Sequence, residues 1–208
     1  VRGLVNPAGT TVEALPSGAD AVVGDVRDRD SMRRAADGVD VIFHAAARYS
    51  LNRSEARAVE DVNVGGTRVM IEVARERGAA LVHTSSVATV GIPGDGTHGD
   101  EETGQPMSQV IGAYKRSKVQ AEALVRRAAA AGLDAYVVNP SAPIGPGDRR
   151  PTRTGRLITD ALAGRIPAYV DTGLNLVDVR DVAAGHLLAL ERGVPGRETS
   201  YGNAGLIQ

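Results

Sequence analysis

The chain has 208 residues, of which 42% are hydrophobic and 24% charged, and its formal net charge is −1 at pH 7. This balance is ordinary for a globular domain and gives no general attraction to nucleic acid or to an anionic membrane. Cysteine is absent and there are only four histidines, so disulfides, thiolate catalysis and cysteine-ligated metals are excluded, and no metal site is predicted. No apolar run reaches the roughly 20 residues of a transmembrane helix, and no signal-peptide pattern opens the chain, so a cytoplasmic location is expected.

In chain order, short apolar runs alternate with longer segments of helical spacing. Strands are predicted over 1–5 and 21–24, a helix over 28–37, a strand over 39–45, a helix over 55–77, a strand over 81–86, a helix over 113–131, a strand over 135–139, and helices over 157–164 and 179–192, with loops over 91–106 and 140–150. The apolar run at 39–45 predicts a strand buried on both faces. The alternation predicts an α/β fold with a doubly wound parallel sheet, whose ligands bind at the carboxyl ends of the strands.

The lysines single out one helix. Only Lys115 and Lys118 are lysine, and every other basic residue is arginine. In a chain that uses arginine so widely, a retained lysine is expected to be needed for its compact ammonium and adjustable pKa. The alternative is that the two lysines are neighbours by accident.

Tyr114 and Lys118 lie one turn apart on the predicted helix. They share a stripe with Ala121, Val125 and Ala128, and a lysine in such a stripe is explained if that face borders a ligand cleft. Tyrosine ionises near pH 10, and a nearby ammonium stabilises the phenolate; a shift of about 3 units corresponds to roughly 4 kcal/mol. The pair is therefore a candidate general acid/base.

Hydroxyl side chains close the strand before this helix, in Thr84-Ser85-Ser86. One of them could hydrogen-bond a substrate carbonyl or alkoxide. The alternative is that the three residues only cap the end of the strand.

Together, Thr84-Ser85-Ser86 and Tyr114-x-x-x-Lys118 resemble the Ser-Tyr-Lys triad of the extended short-chain dehydrogenases/reductases, the NAD-dependent epimerase/dehydratase group. Further segments similar to that family are 24–28, 43–46, 63–67, 139–140, 145–148 and 177–183. Tyr114-Lys115-Arg116-Ser117-Lys118 and the stretch 166–175 resemble hopanoid-associated sugar epimerases, a branch close to the dihydroflavonol 4-reductases.

The resemblance implies roles for individual residues. Tyr114 exchanges a proton with the substrate, Ser86 holds the same substrate oxygen, and Lys118 lowers the pKa of Tyr114 and binds the nicotinamide ribose. Hydride passes directly between substrate and nicotinamide. The cofactor contacts that it implies are Asn6, Asp25, Val26, Ala45, Ala46, Asn63, Thr84, Tyr114, Lys118 and Pro140.

The chain departs from the family at its first residues. The family opens with a strand and a Gly-x-x-Gly-x-x-Gly turn that binds the pyrophosphate, and nothing in 1–18 matches it. Residues 1–5 instead resemble the second strand. We therefore expect a Rossmann-like sheet without its central first strand, truncated at both ends, that binds cofactor poorly and does not fold independently. Residues 1–150 would be a partial dinucleotide-binding domain, and 151–208 a partial substrate-binding region interleaved with the last Rossmann elements.

The cofactor and the substrate stay open at this stage. Asn6 follows the second strand where relatives often carry an arginine for the 2′-phosphate of NADP, so NAD is slightly favoured over NADP. Arg149, Arg150, Arg153 and Arg156 would grip a nucleotide-sugar diphosphate or form a solvated basic helix start. His44 and His186 are expected to pack or hydrogen-bond rather than act as ligands.

The leading hypothesis is a sugar or nucleotide-sugar epimerase or dehydratase with a small-molecule substrate. The alternatives are a dihydroflavonol-reductase-like carbonyl reductase and, in another class, a non-catalytic NAD(P)-sensing protein. The Tyr/Lys pair argues against a sensor, since such sensors usually lose it. A homodimer is compatible with the resemblance.

Overall fold

The computed structural model describes residues 1–6, 15–94, 97, 99–148, 152–168 and 173–201. The elements in these ranges are β1 Arg2–Val5, β2 Asp20–Val23, α1 Arg29–Ala35, β3 Val41–His44, α2 Ala56–Glu60, α3 Gly66–Arg77, β4 Ala80–Thr84, α4 Ala113–Ala130, β5 Ala135–Pro140, β6 Ala142–Ile144, α5 Arg153–Leu162, β7 Leu176–Asp178, α6 Val179–Arg192 and β8 Glu198–Tyr201. No helix in these ranges has both the length and the apolarity needed to cross a membrane.

The strands form parallel sheets, as the sequence predicts. The largest has the order β3-β4-β5-β8, and two further pairs are β1-β2 and β6-β7. Because the carboxyl ends of parallel strands lie at one edge of a sheet, the residues that follow β3, β4 and β5 are brought together there.

Both faces of the central strands are covered. Since side chains alternate along a strand, Leu81 and Val137 belong to a cluster formed with α1, α3 and α4. Val82 and Val138 belong to a second cluster, which includes Ala189 of α6. The predicted doubly wound arrangement is therefore confirmed for β4 and β5.

The strand predicted at 39–45 is less buried than its apolar sequence indicated. Phe43 is 45% exposed. The structure shows the reason, because β3 is at the edge of its sheet and pairs only with β4. The prediction of burial on both faces is wrong for this strand.

The strands β1 and β3 lie in separate sheets. As expected for a sheet without its first strand, they do not pair with each other, and none of the strands in the described ranges lies between them. Each therefore has a single hydrogen-bonded neighbour. The expectations of weak cofactor binding and of failure to fold independently remain predictions.

The long helix predicted at 55–77 is interrupted. A π-helical turn, Asp61–Gly65, separates α2 from α3, and such turns are frequent at functional sites. Three short strands were not predicted: β6, in a segment expected to be irregular, and β7 and β8. Each has only three or four residues, too few for an alternating pattern to be recognised.

Candidate active site

The candidate site lies where the start of α4 meets the ends of β4 and β5. Gly112, with φ of +90°, precedes the helix, and this left-handed backbone favours glycine. Four-residue spacing then places Tyr114 and Lys118 on one face of α4. This face contacts Thr84, the last residue of β4, and Ser86, which follows the strand.

Lys118 is buried at the centre of the site. Its side chain is only 3% exposed, and Nζ donates a hydrogen bond to the backbone oxygen of Thr84 at 2.7 Å. Burial lowers the pKa of Lys118 to about 8, and the Glu122 carboxylate opposes part of that shift. An ammonium near its pKa at neutral pH can both donate hydrogen bonds and exchange a proton.

Tyr114 is half-buried beside a second aromatic ring. Its ring meets that of Tyr49 edge-on, with 4.7 Å between the centroids. Burial raises the pKa of Tyr114, as does Tyr49 to a smaller degree, while a hydrogen bond with the Ser86 side chain acts in the opposite direction. The lowering of this pKa by Lys118 that the sequence predicted is therefore not seen in this structure. The ammonium is directed instead to the carbonyl of Thr84.

Ser86 begins a short 3₁₀ turn, Val87–Thr89, directly after β4. Its hydroxyl accepts a hydrogen bond from the backbone N–H of Ala88 at 3.2 Å and also interacts with the Tyr114 phenol. The three residues expected to be catalytic, Ser86, Tyr114 and Lys118, are thus brought together.

The predicted cofactor residues after β1 and β2 form a polar group. The Asp25 carboxylate accepts hydrogen bonds from Arg27 Nε at 2.9 Å and Nη2 at 2.6 Å. Arg27, and to a lesser extent Asn6, holds the pKa of Asp25 at about 2. The neighbouring Val26 side chain belongs to the core, so only its backbone is available to a cofactor.

The end of β3 offers a different surface. Ala45 and Ala46 directly follow the strand, are exposed, and carry the smallest side chains that an L-residue can have. Because these side chains are so small, a ligand can approach the backbone closely. Pro140, also predicted to contact cofactor, is buried as the last residue of β5.

Asn63 is used within the protein. Its Oδ1 accepts from Arg48 N at 2.7 Å, and its Nδ2 donates to Arg48 O at 3.0 Å and to Ser117 Oγ at 2.8 Å. Ser117 Oγ in turn donates to the backbone oxygen of Tyr114 at 2.7 Å. Asn63 therefore supports α4 beneath the site instead of presenting a free amide to a cofactor.

Three histidines lie close to Lys118 or Thr84. His44 and His83 lie with ring centroids 5.3 Å apart, and burial, with Lys118 as a smaller cause, lowers the pKa of both, that of His44 to about 4. His44 Nε2 contacts Thr67 Oγ1 at 3.1 Å. His186 Nε2 contacts Thr84 Oγ1 at 2.7 Å. The prediction that His44 and His186 hydrogen-bond within the protein is confirmed.

Sequence reasoning missed two side chains of this site. Tyr49 gave no signal, since its contact with Tyr114 joins segments 65 residues apart in sequence. Glu122 could have been found, because it follows Lys118 by four residues and so continues the Tyr114 face. Its side chain is 6% exposed, which is rare for a glutamate.

A cavity of about 850 Å³ is lined by Glu122, Arg126 and Arg127 of α4 among others. Ser86, Tyr114 and Lys118 do not line it, so we place the candidate chemistry at the strand ends and not in this cavity.

Some of the residues singled out in the sequence lie outside the described residues. They are Arg149, Arg150, the side chain of Arg153, and residues 169–172 of the stretch similar to sugar epimerases.

Fold and site together define a Rossmann-like α/β protein with a Ser-Tyr-Lys constellation at the ends of its parallel strands. The comparison with known families agrees: the profile of the NAD dependent epimerase/dehydratase family matches residues 4–202. The chain belongs to this family.

Individual relatives show how far the likeness extends. A protein of Synechocystis sp. named "Putative dihydroflavonol 4-reductase" is 47% identical over 93% of this chain and 56% of its own length. The sterol demethylase protein B of Methylococcus capsulatus is 41% identical over 83% of this chain and 53% of its own length. The crystal structure of gox2253 is 44% identical, with a TM-score of 0.88, over 96% of this chain and 61% of that chain. The chain thus spans little more than half the length of these curated relatives.

Proposed function

We propose that this chain forms the cofactor-binding part of an NAD(P)-dependent oxidoreductase or epimerase that acts on a carbon bearing a hydroxyl or carbonyl group. The observation that carries the proposal is the meeting of Tyr114, Lys118 and Ser86 at the carboxyl edge of a parallel sheet. The phenol and the hydroxyl interact with each other, so both can reach one substrate oxygen.

Each of the three side chains has a separate role. Tyr114 gives a proton to a substrate carbonyl oxygen, or takes one from a hydroxyl, and Ser86 holds that oxygen by a hydrogen bond. Lys118 has three N–H donors, one of which is used on Thr84 O, so others remain for a ribose hydroxyl. In this structure the ammonium is directed to Thr84 O; with cofactor bound, its positive charge would favour the phenolate form of Tyr114.

The edge of the sheet fits the adenosine and ribose portions of a dinucleotide. Exposed Ala45 and Ala46 at the end of β3 allow close approach, and Asn6 and Asp25 supply polar groups at the ends of β1 and β2, in the separate two-stranded sheet. When bound, the nicotinamide supplies or accepts the hydride that balances each proton transfer by Tyr114. Asn6 carries no positive charge for a 2′-phosphate, which supports NAD over NADP.

Two outcomes of this chemistry compete. In a sugar or nucleotide-sugar epimerase the ketone intermediate turns over and takes the hydride back. In a reductase the hydride leaves with the product. The reductase alternative is supported by the ring of Tyr49, which contacts Tyr114 and is 52% exposed, and by the reductase name of the Synechocystis relative. A non-catalytic sensor would not need the Tyr/Lys pair.

The test is an activity assay on the full-length natural protein with NAD⁺ and NADP⁺, using UDP-glucose and a panel of cyclic secondary alcohols. A gain in absorbance at 340 nm indicates release of an oxidised product, whereas isomerisation without net reduction of cofactor indicates an epimerase. Tyr114→Phe is expected to lower turnover by about 10²–10⁴-fold.

The matched control is Tyr136→Phe, which removes a hydroxyl from β5 on the opposite face of the sheet. It should leave turnover within about twofold of the parent, as is usual for changes that touch no reacting group. A Tyr114→Phe protein as active as the parent, or a parent inactive with both cofactors, would overturn the proposed function.

A further inference from the structure

Glu122 is a buried carboxylate that the proposed reaction does not use. It continues the Tyr114 and Lys118 face of α4 by one more turn, and its side chain is 6% exposed. Its hydrogen bonds within the described residues come from neutral groups, Ser85 and Asn139. Burial of a carboxylate lowers the free energy of unfolding unless the group is well hydrogen-bonded. We therefore looked for a function that would explain a buried glutamate at this position.

The contacts of Glu122 connect α4 to the ends of β4 and β5. Its Oε2 accepts from Ser85 Oγ at 2.6 Å and from Asn139 Nδ2 at 2.9 Å. Ser85 directly precedes Ser86, and Asn139 is the next-to-last residue of β5. One carboxylate oxygen therefore joins three elements that meet at the candidate site.

A second set of hydrogen bonds carries the connection on to Ser86. Asn139 Nδ2 also donates to Thr89 Oγ1 at 2.8 Å. Thr89 Oγ1 donates to the backbone oxygen of Ser86 at 2.6 Å. The backbone of Ser86 is thus held on one side through Ser85 and on the other through Thr89, and both paths lead to Glu122.

The same carboxylate is an electrostatic neighbour of Lys118. Burial lowers the pKa of Lys118 to about 8, and the negative charge of Glu122 raises it. Tyr114 lies on the same face of α4 as Lys118, and burial raises its pKa, so the phenol is uncharged at neutral pH. His83 of β4 and His44 of β3 also interact with Lys118, and burial lowers the pKa of both, so they too are uncharged at neutral pH. Glu122 is the anion in this group.

We propose that Glu122 is a positioning residue that ties α4 to the ends of β4 and β5, so that Ser86 is held beside Tyr114, and that places a compensating negative charge next to the Lys118 ammonium. The proposal rests on the proposed function for its consequence on turnover. Its electrostatic part can be measured without turnover.

The first experiment follows the two lysines of this chain by NMR in the full-length protein. With ¹³C-labelled lysine, the Cε signals of Lys115 and Lys118 are assigned from the signal that Lys115→Arg or Lys118→Arg removes, and are followed as a function of pH. Glu122→Gln keeps the shape and the hydrogen-bond acceptor but removes the charge. It is expected to lower the midpoint of Lys118 by about one pH unit, as loss of a nearby opposite charge should. Glu191→Gln, which removes an exposed carboxylate from α6, should leave the midpoint unchanged.

The second experiment separates the structural tie from the charge. Ser85→Ala removes one hydrogen bond to Glu122 but keeps the carboxylate, so the Lys118 midpoint should stay in place. In the full-length protein, kcat should fall by about tenfold, the effect of a loosened Ser86, while KM for the cofactor stays within about twofold. If Glu122→Gln does not fold, this variant still carries the test.

An unchanged Lys118 midpoint in folded Glu122→Gln would overturn the proposal, as would an unchanged kcat in Ser85→Ala. If Glu122 had only a structural role, Glu122→Gln and Ser85→Ala would change stability but would leave the Lys118 midpoint and kcat unchanged. If the parent shows no turnover but the Lys118 midpoint shifts as expected, the proposed function fails while the electrostatic role of Glu122 stands.

Discussion

At the scale of single residues, Lys118 shows a conflict between stability and function. The pKa of the buried Lys118 ammonium is about 8, whereas that of a lysine in an unfolded chain is about 10.4. At any pH where Lys118 is charged in both states, this difference lowers the free energy of unfolding by about 3 kcal/mol. The folded pKa is the lower of the two. The cost is therefore fully present below pH 8, shrinks as the pH rises from 8, and is gone above about 10.4.

We expect Lys118→Met to be more stable than the parent at pH 7, by about 1–3 kcal/mol after loss of the hydrogen bond to Thr84. The advantage should shrink when urea unfolding is repeated at pH 9.5. Lys115→Met is the matched control, because Lys115 lies on the same helix but is exposed, and it should change stability by no more than about 0.5 kcal/mol. An advantage that grows with pH would contradict the assignment of a depressed pKa to Lys118.

Asn6 allows a test of cofactor preference. Its side chain lies near Asp25, whose carboxylate is already bonded by Arg27. Asn6→Arg would add a guanidinium suited to a phosphate. We expect NADP⁺ affinity, measured by calorimetry on the full-length protein, to rise about tenfold relative to NAD⁺. Asn6→Gln, which adds length without charge, should leave the ratio unchanged, and a ratio unaffected by arginine would remove Asn6 from the cofactor site.

The site residues differ in how well sequence predicts them. Tyr114 and Lys118 are visible because both lie on one helix, where spacing fixes their relation. Val26 and Asn63 fall in the predicted segments, yet Val26 packs in the core and Asn63 is fully bonded to Arg48 and Ser117. Their side chains point where tertiary packing directs them, and no local pattern encodes that direction.

At the scale of elements, long helices are predicted better than short strands or helix irregularities. The helix α6, Val179–Arg192, is found with the predicted bounds, because 14 residues contain several repeats of the apolar spacing. The π-helical turn Asp61–Gly65 does not change that spacing enough to be seen in the sequence. Its consequence appears only in three dimensions, where it orients Asn63 toward α4.

The junction between that turn and α3 makes a sharp prediction from two adjacent glycines. A β-carbon at Gly66 would lie 2.8 Å from Val26 Cγ2, whereas a β-carbon at Gly65 meets nothing within 4 Å. Gly66→Ala should therefore lower the free energy of unfolding by about 1–3 kcal/mol through overpacking. Gly65→Ala should raise it by about 0.5–1 kcal/mol, since alanine favours helix. Thermal or urea unfolding of the two variants decides this, and equal effects would show that α3 does not pack on Val26 as described.

At the scale of the whole molecule, the division of the strands into separate sheets should divide the stability as well. The β1-β2 pair has four residues in each strand, and Asp20, Ala21 and Val23 of β2 are exposed. A two-stranded sheet is marginal by itself. By contrast, β4 and β5 pair with each other, have neighbours on both sides, and are covered on both faces.

If the 208-residue chain folds by itself, contrary to the expectation from its missing first strand, native-state hydrogen exchange on it measures this difference. Amides of β1 and β2 should open with a free energy at least about 2 kcal/mol below that of β4 and β5 amides. Arg2 Nη1 donates to Ala35 O and Asp37 O, each at 2.8 Å, and so ties β1 to the end of α1. Arg2→Ala should lower protection in β1 and β2 further and leave β4 and β5 unchanged. Equal opening free energies in both sheets would mean that the chain unfolds as one cooperative unit, and the open edges of β1 and β3 would then not weaken the fold.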